Sequence, residues 1–476
     1  MSARLYLLAP VGVLLLGCQL APRHERPALP TAEQYPVAYA DDAAPGKTAP
    51  TIGWRDFFPD PRLKALIERA LERNRDLSVA VSQIEEARAQ YHIQRADSLP
   101  SLDANAKASR NRLGPSSLSA TGAGDLPAGT GAIRFDSYSV DVGVSAFELD
   151  FWGRVRNLSE AARRQYLGTV EAARAFRLSL IRDVATAYLA TLEDSERIQL
   201  AQATLKSRQD GVHIAKRRLD AGVTSALDFH QAETLLTQAE TELATLQQAK
   251  AQNDNLLAVL VGGPMDSPLP DALPLDQQAG STALAPGLPS ELLNTRPDIL
   301  AAEERLRAAR ANIGAARAAF FPSISLTGSF GYASTELNNL VSEDGMTWNF
   351  GPTINLPIFD FGRRRGNLDV AKARENIAVA SYERAIQTGF QEVSDALAGR
   401  RYLADQVAAQ ERGTLAQRQI AHLARIRYRE GVVDYLQVLD AERNLFDAEQ
   451  ALLQVRRAEA ANLVSLYIAL GGGVTE

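Results

Sequence analysis

Residues 427–473 read RYREGVVDYLQVLDAERNLFDAEQALLQVRRAEAANLVSLYIALGGG, and nearly the same pattern occurs earlier, in residues 218–263. A shift of 209 positions superposes the two copies and places Gly222 on Gly431. Each copy has a charged run, a turn centred on that glycine, and a second run with apolar residues spaced three and four apart. The pattern predicts two helical hairpins, each with paired helices that meet at a sharp turn.

The repetition extends upstream of these hairpins. A shift of 222 positions places Asp76 on Asp298 and Pro100 on Pro322, and the shift falls to 210 at Asp150. The first copy therefore carries a longer insertion between Pro100 and Asp150. A repeat of about two hundred residues is too long for a solenoid unit, so we interpret it as a duplicated subdomain.

Composition disfavours several classes of function. The net charge is −6 and no basic stripe dominates, which argues against nucleic acid as a partner. The five histidines are scattered without metal-ligand spacing, and the single cysteine can form neither an intrachain disulfide nor a redox pair. Nothing clusters as a nucleophile with a base, so we predict neither an enzyme nor a cofactor.

The first residues predict a lipoprotein signal. An apolar run over residues 5–16, too short to span a membrane, ends at Gly17-Cys18 and is followed by Gln19. This looks like a bacterial lipobox, in which signal cleavage leaves a lipidated, palmitate-bearing Cys18 at the new N-terminus. An ordinary signal peptide with an incidental cysteine is the alternative. We predict a signal peptide over 1–17 and an extended, lipidated tether over 18–59.

Two pairs of segments of about ten residues alternate apolar with polar side chains, a pattern that fits strands of an outer-membrane β-barrel. They predict two β-hairpins, over 100–148 and 322–359. Aromatic residues at strand ends, as in an interfacial girdle, favour a membrane barrel over a soluble sandwich edge. The apolar members are Leu102, Ala104, Ala106, Ala108, Tyr138, Val140, Val142, Val144, Ala146, Ile324, Leu326, Phe330, Tyr332, Trp348, Phe350, Ile354, Leu356 and Ile358.

Four strands cannot close a barrel, because about eight are the practical minimum. Open strand edges are not tolerated in lipid, since their backbone groups would lack hydrogen-bond partners. If these strands span a membrane, two or more chains must therefore share one barrel.

Proline is absent from residues 128–263 and from every position after Pro357. Residues 155–219 and 365–429 could each form one helix of about 95 Å, and helices this long imply coiled-coil packing. The predicted fold is mainly α with a membrane β-barrel portion. It comprises a first repeat over 60–263, a connector over 264–290 and a second repeat over 291–473. Within the repeats, the long helical hairpins occupy 151–261 and 362–470.

A family resemblance rests on the internal repeat, the lipobox, Asp150-Phe151-Trp152-Gly153-Arg154, Asp360-Phe361-Gly362-Arg363 and the turn that begins at Arg427. Apart from the lipobox, these motifs occur in the same order in both halves. With these motifs the whole mature chain resembles the TolC-type outer-membrane efflux family, and within it the OprM-like, or NodT-type, lipoprotein branch. The resemblance implies a homotrimer with a twelve-stranded barrel on a long α-helical periplasmic tunnel. It also implies docking to a periplasmic adaptor (membrane fusion) protein and to an inner-membrane resistance-nodulation-division transporter, in the export of small molecules such as drugs.

The resemblance also assigns residues to a periplasmic gate. Leu436 and Asp440 match the two constriction rings of OprM-like channels, and Tyr428 and Asp228 match positions that tie neighbouring helices together in the closed TolC state. For Asp440 the alternative is a solvated carboxylate on an exposed helix face.

Two departures from the TolC pattern favour the OprM-like gate. An arginine of the TolC latch falls on Val433, and a second aspartate of that latch falls on Gln437.

Gly222-Val223 and Gly431-Val432 fit the turns that meet the adaptor's hairpin tips, although both glycines also suit any tight turn.

Other functions stay open at this point. The chain could be the outer-membrane channel of a type I protein secretion or metal-efflux system. It could instead be a structural coiled-coil lipoprotein of the envelope with no pore.

Overall fold

The computed structural model describes residues 19–35, 47–114, 132–264, 268–278, 284–285, 287 and 289–473. Cys18 and the predicted signal peptide lie outside these residues. The chain divides into two compact units. The first draws on residues 1–26, 86–167 and 304–379, and the second on residues 27–85, 168–303 and 380–476.

Helices account for most of the described chain. The two longest, Arg154–Asp220 and Arg363–Arg429, have 67 residues each, or about 100 Å at 1.5 Å per residue. Short four-residue helices occur at Trp54–Phe57 and Leu292–Thr295. The seven principal helices are α1 (Pro61–Arg73), α2 (Arg75–Ala96), α3 (Arg154–Asp220), α4 (Ala226–Val261), α5 (Pro297–Ala318), α6 (Arg363–Arg429) and α7 (Tyr435–Ala469).

The sequence from Asp60 to about Arg95 carries an apolar stripe at helical spacing, which the structure divides between α1 and α2 at Asn74. This residue is buried and has an extended backbone, with ψ at 131°. Its side chain accepts from the amide of Leu77 at 2.9 Å and donates to the carbonyl of Leu260 at 2.9 Å. The break therefore depends on a contact with α4, far away in sequence.

The first unit contains a four-stranded antiparallel sheet. Its strands are β1 (Asp103–Leu113), β2 (Ile133–Glu148), β3 (Ser323–Ser334) and β4 (Met346–Asn355), and they lie in that order. Within the described part of the chain, β1 and β4 each have one unpaired edge. A separate two-stranded parallel sheet pairs Lys47–Thr48 with Leu284–Ala285.

One face of the four-stranded sheet is apolar. Val142 pairs with Phe330, which in turn pairs with Trp348, so these three side chains share a face. Trp348 is 71% exposed in the protomer. The opposite face is polar, and there Asn349 donates to Ser329 at 2.7 Å. The apolar face thus presents large side chains to the surroundings, and the polar face carries hydrogen-bonding groups.

The second unit has a packed core that includes the middle of α3 and the C-terminal end of α7. Asp60 caps α1 and is fully buried, and its carboxylate accepts from Tyr188 of α3 at 2.7 Å and from Gln278 at 2.5 Å. Tyr467 of α7 stacks on Phe57, with ring centroids 3.9 Å apart. These contacts join the N-terminal part of the chain to both helical hairpins.

The segment after Cys18 follows α5 in the first unit. Arg317 donates to the carbonyl of Leu20 at 2.9 Å, and Arg310 donates to that of Glu25 at 2.8 Å. Gly314 lies against Ala21, where a Cβ atom would approach the Ala21 backbone nitrogen to 2.8 Å. The segment therefore runs antiparallel to α5. None of the described helices contains an apolar stretch long enough to cross a bilayer.

Candidate periplasmic gate

The turn of each helical hairpin depends on one glycine. Gly222 has φ at 72° and Gly431 has φ at 71°, values in the left-handed region that other residues adopt at a cost. The amide of Val223 donates to the carbonyl of Arg218 at 2.9 Å, and Val432 makes the matching bond to Arg427 at 2.9 Å. Both helices therefore end in the glycine motif that satisfies terminal carbonyls.

The two valines beside these glycines are exposed. Val223 is 65% exposed and Val432 is 64% exposed in the protomer. Both predicted docking turns thus present an apolar side chain at their tip.

Asp228 stabilises the N-terminus of its own helix. Ser225 and Asp228 form a capping box, and the Asp228 carboxylate also accepts from the hydroxyl of Thr224. These hydrogen bonds, led by that of Thr224, hold the pKa of Asp228 below its usual range. The carboxylate is therefore kept ionised at the start of α4.

Tyr428 contacts Arg218 within the protomer. The guanidinium of Arg218 donates to the tyrosine hydroxyl and lies over its ring, 5.2 Å from the centroid. The positive charge of Arg218 also contributes to the lowered pKa of Asp228. Among the described residues the geometry joins Tyr428 to α3 through Arg218, a residue that the sequence analysis did not single out. A direct tie between Tyr428 and Asp228 stays a prediction.

Leu436 and Asp440 lie in the first two turns of α7. Leu436 is 44% exposed, whereas Val438 and Leu439 between them are buried. The Asp440 carboxylate lies 3.1 Å from the guanidinium of Arg443, in an exposed pair that partly offsets its charge. Both predicted gate residues therefore face away from the buried side of their helix.

A buried ion pair lies close to the turns and joins α3 to α7. Arg208 is 5% exposed and lies 3.2 Å from the carboxylate of Glu442, which also accepts from Arg425 of α6 at 2.8 Å. We call Arg208, Glu442 and Arg425 the Arg208 clasp. Burial lowers the pKa of Arg208, with the charge of Glu442 acting in the opposite direction. Sequence reasoning missed the clasp, since a lone arginine in a charged helix is usually solvated.

Tyr435 packs beside this clasp. Its hydroxyl sits against Gly211 of α3, where an added Cβ atom would clash with the hydroxyl unless the tyrosine moved. Burial raises the pKa of Tyr435 to about 12, so the hydroxyl is neutral at physiological pH. The small residue on α3 thus allows the start of α7 to approach closely. Across the described residues, no group of three or more His, Cys, Asp or Glu side chains is placed to hold a metal ion.

Comparison with known proteins places these features in a family. The family model described as outer membrane efflux protein matches residues 66–263 and 288–472. The chain is 43% identical to the probable efflux pump outer membrane protein TtgC of Pseudomonas putida, covering 99% of this chain and 96% of that protein. It is 40% identical to the cation efflux system protein CusC of Escherichia coli, covering 97% and 98% respectively. It also superposes on the open-state MtrE outer membrane channel of Neisseria gonorrhoeae with a TM-score of 0.86, at 41% identity over 96% of this chain and 99% of that one. The chain therefore belongs to the outer membrane efflux protein family.

Proposed function

We propose that three copies of this chain form the outer-membrane exit duct of a tripartite efflux pump. Small molecules such as drugs pass through it from the periplasm or the pump to the outside. The observation that carries the proposal is the four-stranded sheet with one apolar face and two unpaired edges, in a chain with two 67-residue helices. A sheet of this kind needs lipid on one face and further strands at both edges.

The shared barrel gains support from strand register. In the first hairpin Ala106 pairs with Val140, and in the second Gly328 pairs with Phe350. The shift of 222 positions relates Ala106 to Gly328, and the shift of 210 positions relates Val140 to Phe350, so the first pair corresponds to the second. The hairpins therefore behave as two copies of one unit, and three protomers would supply twelve strands. The domain division made from the sequence is part of this proposal.

The same shifts define the joint between protomers. Inside the chain, β2 joins β3 with Val144 opposite Gly328. In the other half, Val144 corresponds to Ile354 by the shift of 210 positions, and Gly328 corresponds to Ala106 by the shift of 222 positions. The equivalent joint therefore pairs Ile354 of β4 with Ala106 of β1 in the next copy. Both residues belong to the apolar set, which agrees with the requirement that paired residues share a face.

Disulfide trapping tests this joint. The variant Ile354→Cys with Ala106→Cys should cross-link into dimers and trimers on oxidation, because directly opposite Cβ atoms are about 5 Å apart. The pair Ile354→Cys with Lys107→Cys is the matched control, since Lys107 points to the other face. Absence of any cross-link, or a folded monomer with intact β-sheet circular dichroism, would contradict the shared barrel.

A lipid anchor at Cys18 forms part of the proposal. Leu20 is bonded to Arg317, at the end of α5, and β3 starts shortly afterwards at Ser323. Leu20 therefore lies beside the segment that leads from α5 into the sheet, at the end of the sheet that joins the helices. This is the end at which acyl chains would enter the inner leaflet.

The hairpin turns are the proposed periplasmic end. There Leu436 and Asp440 line the gate, Tyr428 and Asp228 hold it closed, and the two glycine turns dock a periplasmic adaptor. The exposed valines at both turns support docking, because apolar tips suit burial against a partner. A resistance-nodulation-division transporter of the inner membrane would complete the pump.

A metal-efflux duct is the second candidate, since the chain is 40% identical to a cation efflux system protein. Deleting the gene and measuring growth with antibiotics, organic solvents, copper and silver would separate the two candidates. Sensitivity to copper and silver alone would favour the metal-efflux duct. Single-channel recording addresses the other possibilities: a chain that forms no pore would be a structural lipoprotein.

A further inference from the structure

Two arginines face each other at the loop end of the first hairpin. Arg112 of β1 and Arg134 of β2 are direct cross-strand partners, and both are exposed. They alternate onto the same face as Ala106, Ala108 and Val140, which is the apolar face. Two positive charges therefore lie beyond the apolar band, separated from it by one cross-strand pair.

The next pair along the strands is already neutralised. Arg110 donates two hydrogen bonds to Asp136, at 2.6 and 2.7 Å. The hydroxyl of Tyr138, one step further along the same face, lies 3.5 Å from that carboxylate. Asp136 is thus engaged by Arg110. Among the described residues no carboxylate forms an ion pair with Arg112 or Arg134.

The two opposite arginines favour the binding of an anion between them. Like charges directly opposite on neighbouring strands destabilise a sheet, and their cost is removed when one anion bridges them. Two guanidinium groups on directly opposite residues offer several donors to a single phosphate, a group whose geometry matches that of arginine. Tyr138 marks the edge of the apolar band, as interfacial aromatics do in membrane barrels.

We infer that Arg112 and Arg134 bind the phosphate of a lipid in the outer leaflet of the membrane. The inference rests on the proposed function, which places the apolar face in lipid and the loop ends outside. In that orientation the acyl chains lie along Ala106, Ala108 and Val140, and the headgroup phosphate meets the two arginines. A free phosphate ion would satisfy the same charges without requiring the apolar face.

Lipid binding to the purified, detergent-solubilised protein tests the site. The probes are bis-phosphorylated lipid A, the same lipid after enzymatic dephosphorylation, and inorganic phosphate. Native mass spectrometry should show retention of bis-phosphorylated lipid A by the wild-type protein and weaker retention of the dephosphorylated form. The variant Arg112→Gln with Arg134→Gln should lose about tenfold or more in affinity, as expected when charged hydrogen bonds are removed.

The control variant is Lys107→Gln, which removes one positive charge from the same strand but on the opposite face. Its affinity for lipid A should equal that of the wild type. Equal binding by the double arginine variant, or by dephosphorylated lipid, would overturn the inference. Displacement of lipid A by millimolar inorganic phosphate would also overturn it, because the site would then be one for a free anion.

Measuring the single-channel conductance of the same samples distinguishes failure of the proposed lipid site from failure of the proposed channel. If the double arginine variant conducts normally and still binds lipid A, the proposed lipid site is ruled out and the proposed exit duct is not. If the wild-type protein neither assembles into an oligomer nor conducts ions, the proposed function is ruled out. If the double variant does not fold, the comparison of the two lipid forms on the wild type decides the matter.

Discussion

Arg208 of α3 and Glu442 of α7 form a buried ion pair, with 3.2 Å between guanidinium and carboxylate, a few helical turns away from the reversal of each hairpin. Removing one partner of a buried pair leaves the other charge without compensation. Glu442→Ala should therefore destabilise the contact between these helices by about 3 kcal/mol. Hydrogen exchange of the α3 amides around Arg208 measures the local opening free energy.

The duplicated sequence supplies the control for this change. Glu233 occupies the matching position of the first copy but pairs with His230 on an exposed surface, at 2.8 Å. Glu233→Ala should cost less than about 1 kcal/mol, as exposed pairs do. Equal protection losses in both variants would show that the Arg208 clasp does not hold the helices.

We expect Asp228 to make closure of the proposed gate sensitive to acid pH. Its folded-state pKa is lowered, so its capping bonds stabilise the turn above the unfolded pKa of about 4 and are lost as pH falls through the folded value. Channel leak should therefore increase in the wild type as the pH drops below about 4. Asp228→Asn should remove this pH dependence, and planar-bilayer recordings at several pH values measure it. A wild-type leak that is flat across this range would show that the cap does not control closure.

Loss of the Tyr428 contacts should favour the open state. We expect Tyr428→Phe with Asp228→Ala to raise single-channel conductance, because the hydroxyl that binds Arg218 and the carboxylate at α4 are both removed. Arg218→Ala alone should have a similar effect if the arginine serves both groups. Arg429→Ala, an exposed arginine at the end of α6, is the comparison and should leave conductance unchanged.

The residues at the start of α7 should affect conduction in different ways. Leu436→Ala should widen the leak by removing an apolar plug, since the exposed leucine is one turn away from Asp440. Asp440→Ala should chiefly lower cation selectivity, because an acidic ring attracts cations and hinders anions. Reversal potentials in a salt gradient report the selectivity. If both variants match the wild type in conductance and ion preference, the gate lies elsewhere.

Cys18→Ser should abolish acylation and leave a precursor or an unlipidated form. The protein should still partition with the membrane, because the apolar face of the barrel provides its own affinity for lipid. Incorporation of radiolabelled palmitate is the measurement. Label retained by the Cys18→Ser protein would rule out the lipobox assignment.

Local patterns predicted the strands and long helices well. The strands around Val140 and Phe330 are recognisable from the sequence because side chains of one face recur at every second residue, and here those side chains are apolar. The lengths of α3 and α6 followed from the absence of proline. The break at Asn74 was missed, because an asparagine inside an apolar stripe is compatible with a helix and its decisive partner is the carbonyl of Leu260.

The contacts around the turns were less predictable. Ser225 followed three positions later by Asp228 is a capping-box signal, and it could have identified the role of Asp228 from the sequence. Arg208 gave no such signal, since its burial depends on how α3, α6 and α7 pack. Pairing between distant helices is a property of the fold and leaves no local period to detect.

The open edges of β1 and β4 have a consequence for inheritance and dosage. In the proposed ring every chain must complete the hydrogen bonding of two neighbours, so no protomer can finish folding alone. One chain with a damaged β4 would interrupt the ring for two intact ones. A defective allele of this gene is therefore expected to be dominant over a normal one in the same cell. Newly made chains also have to find each other before their exposed edges pair with other proteins.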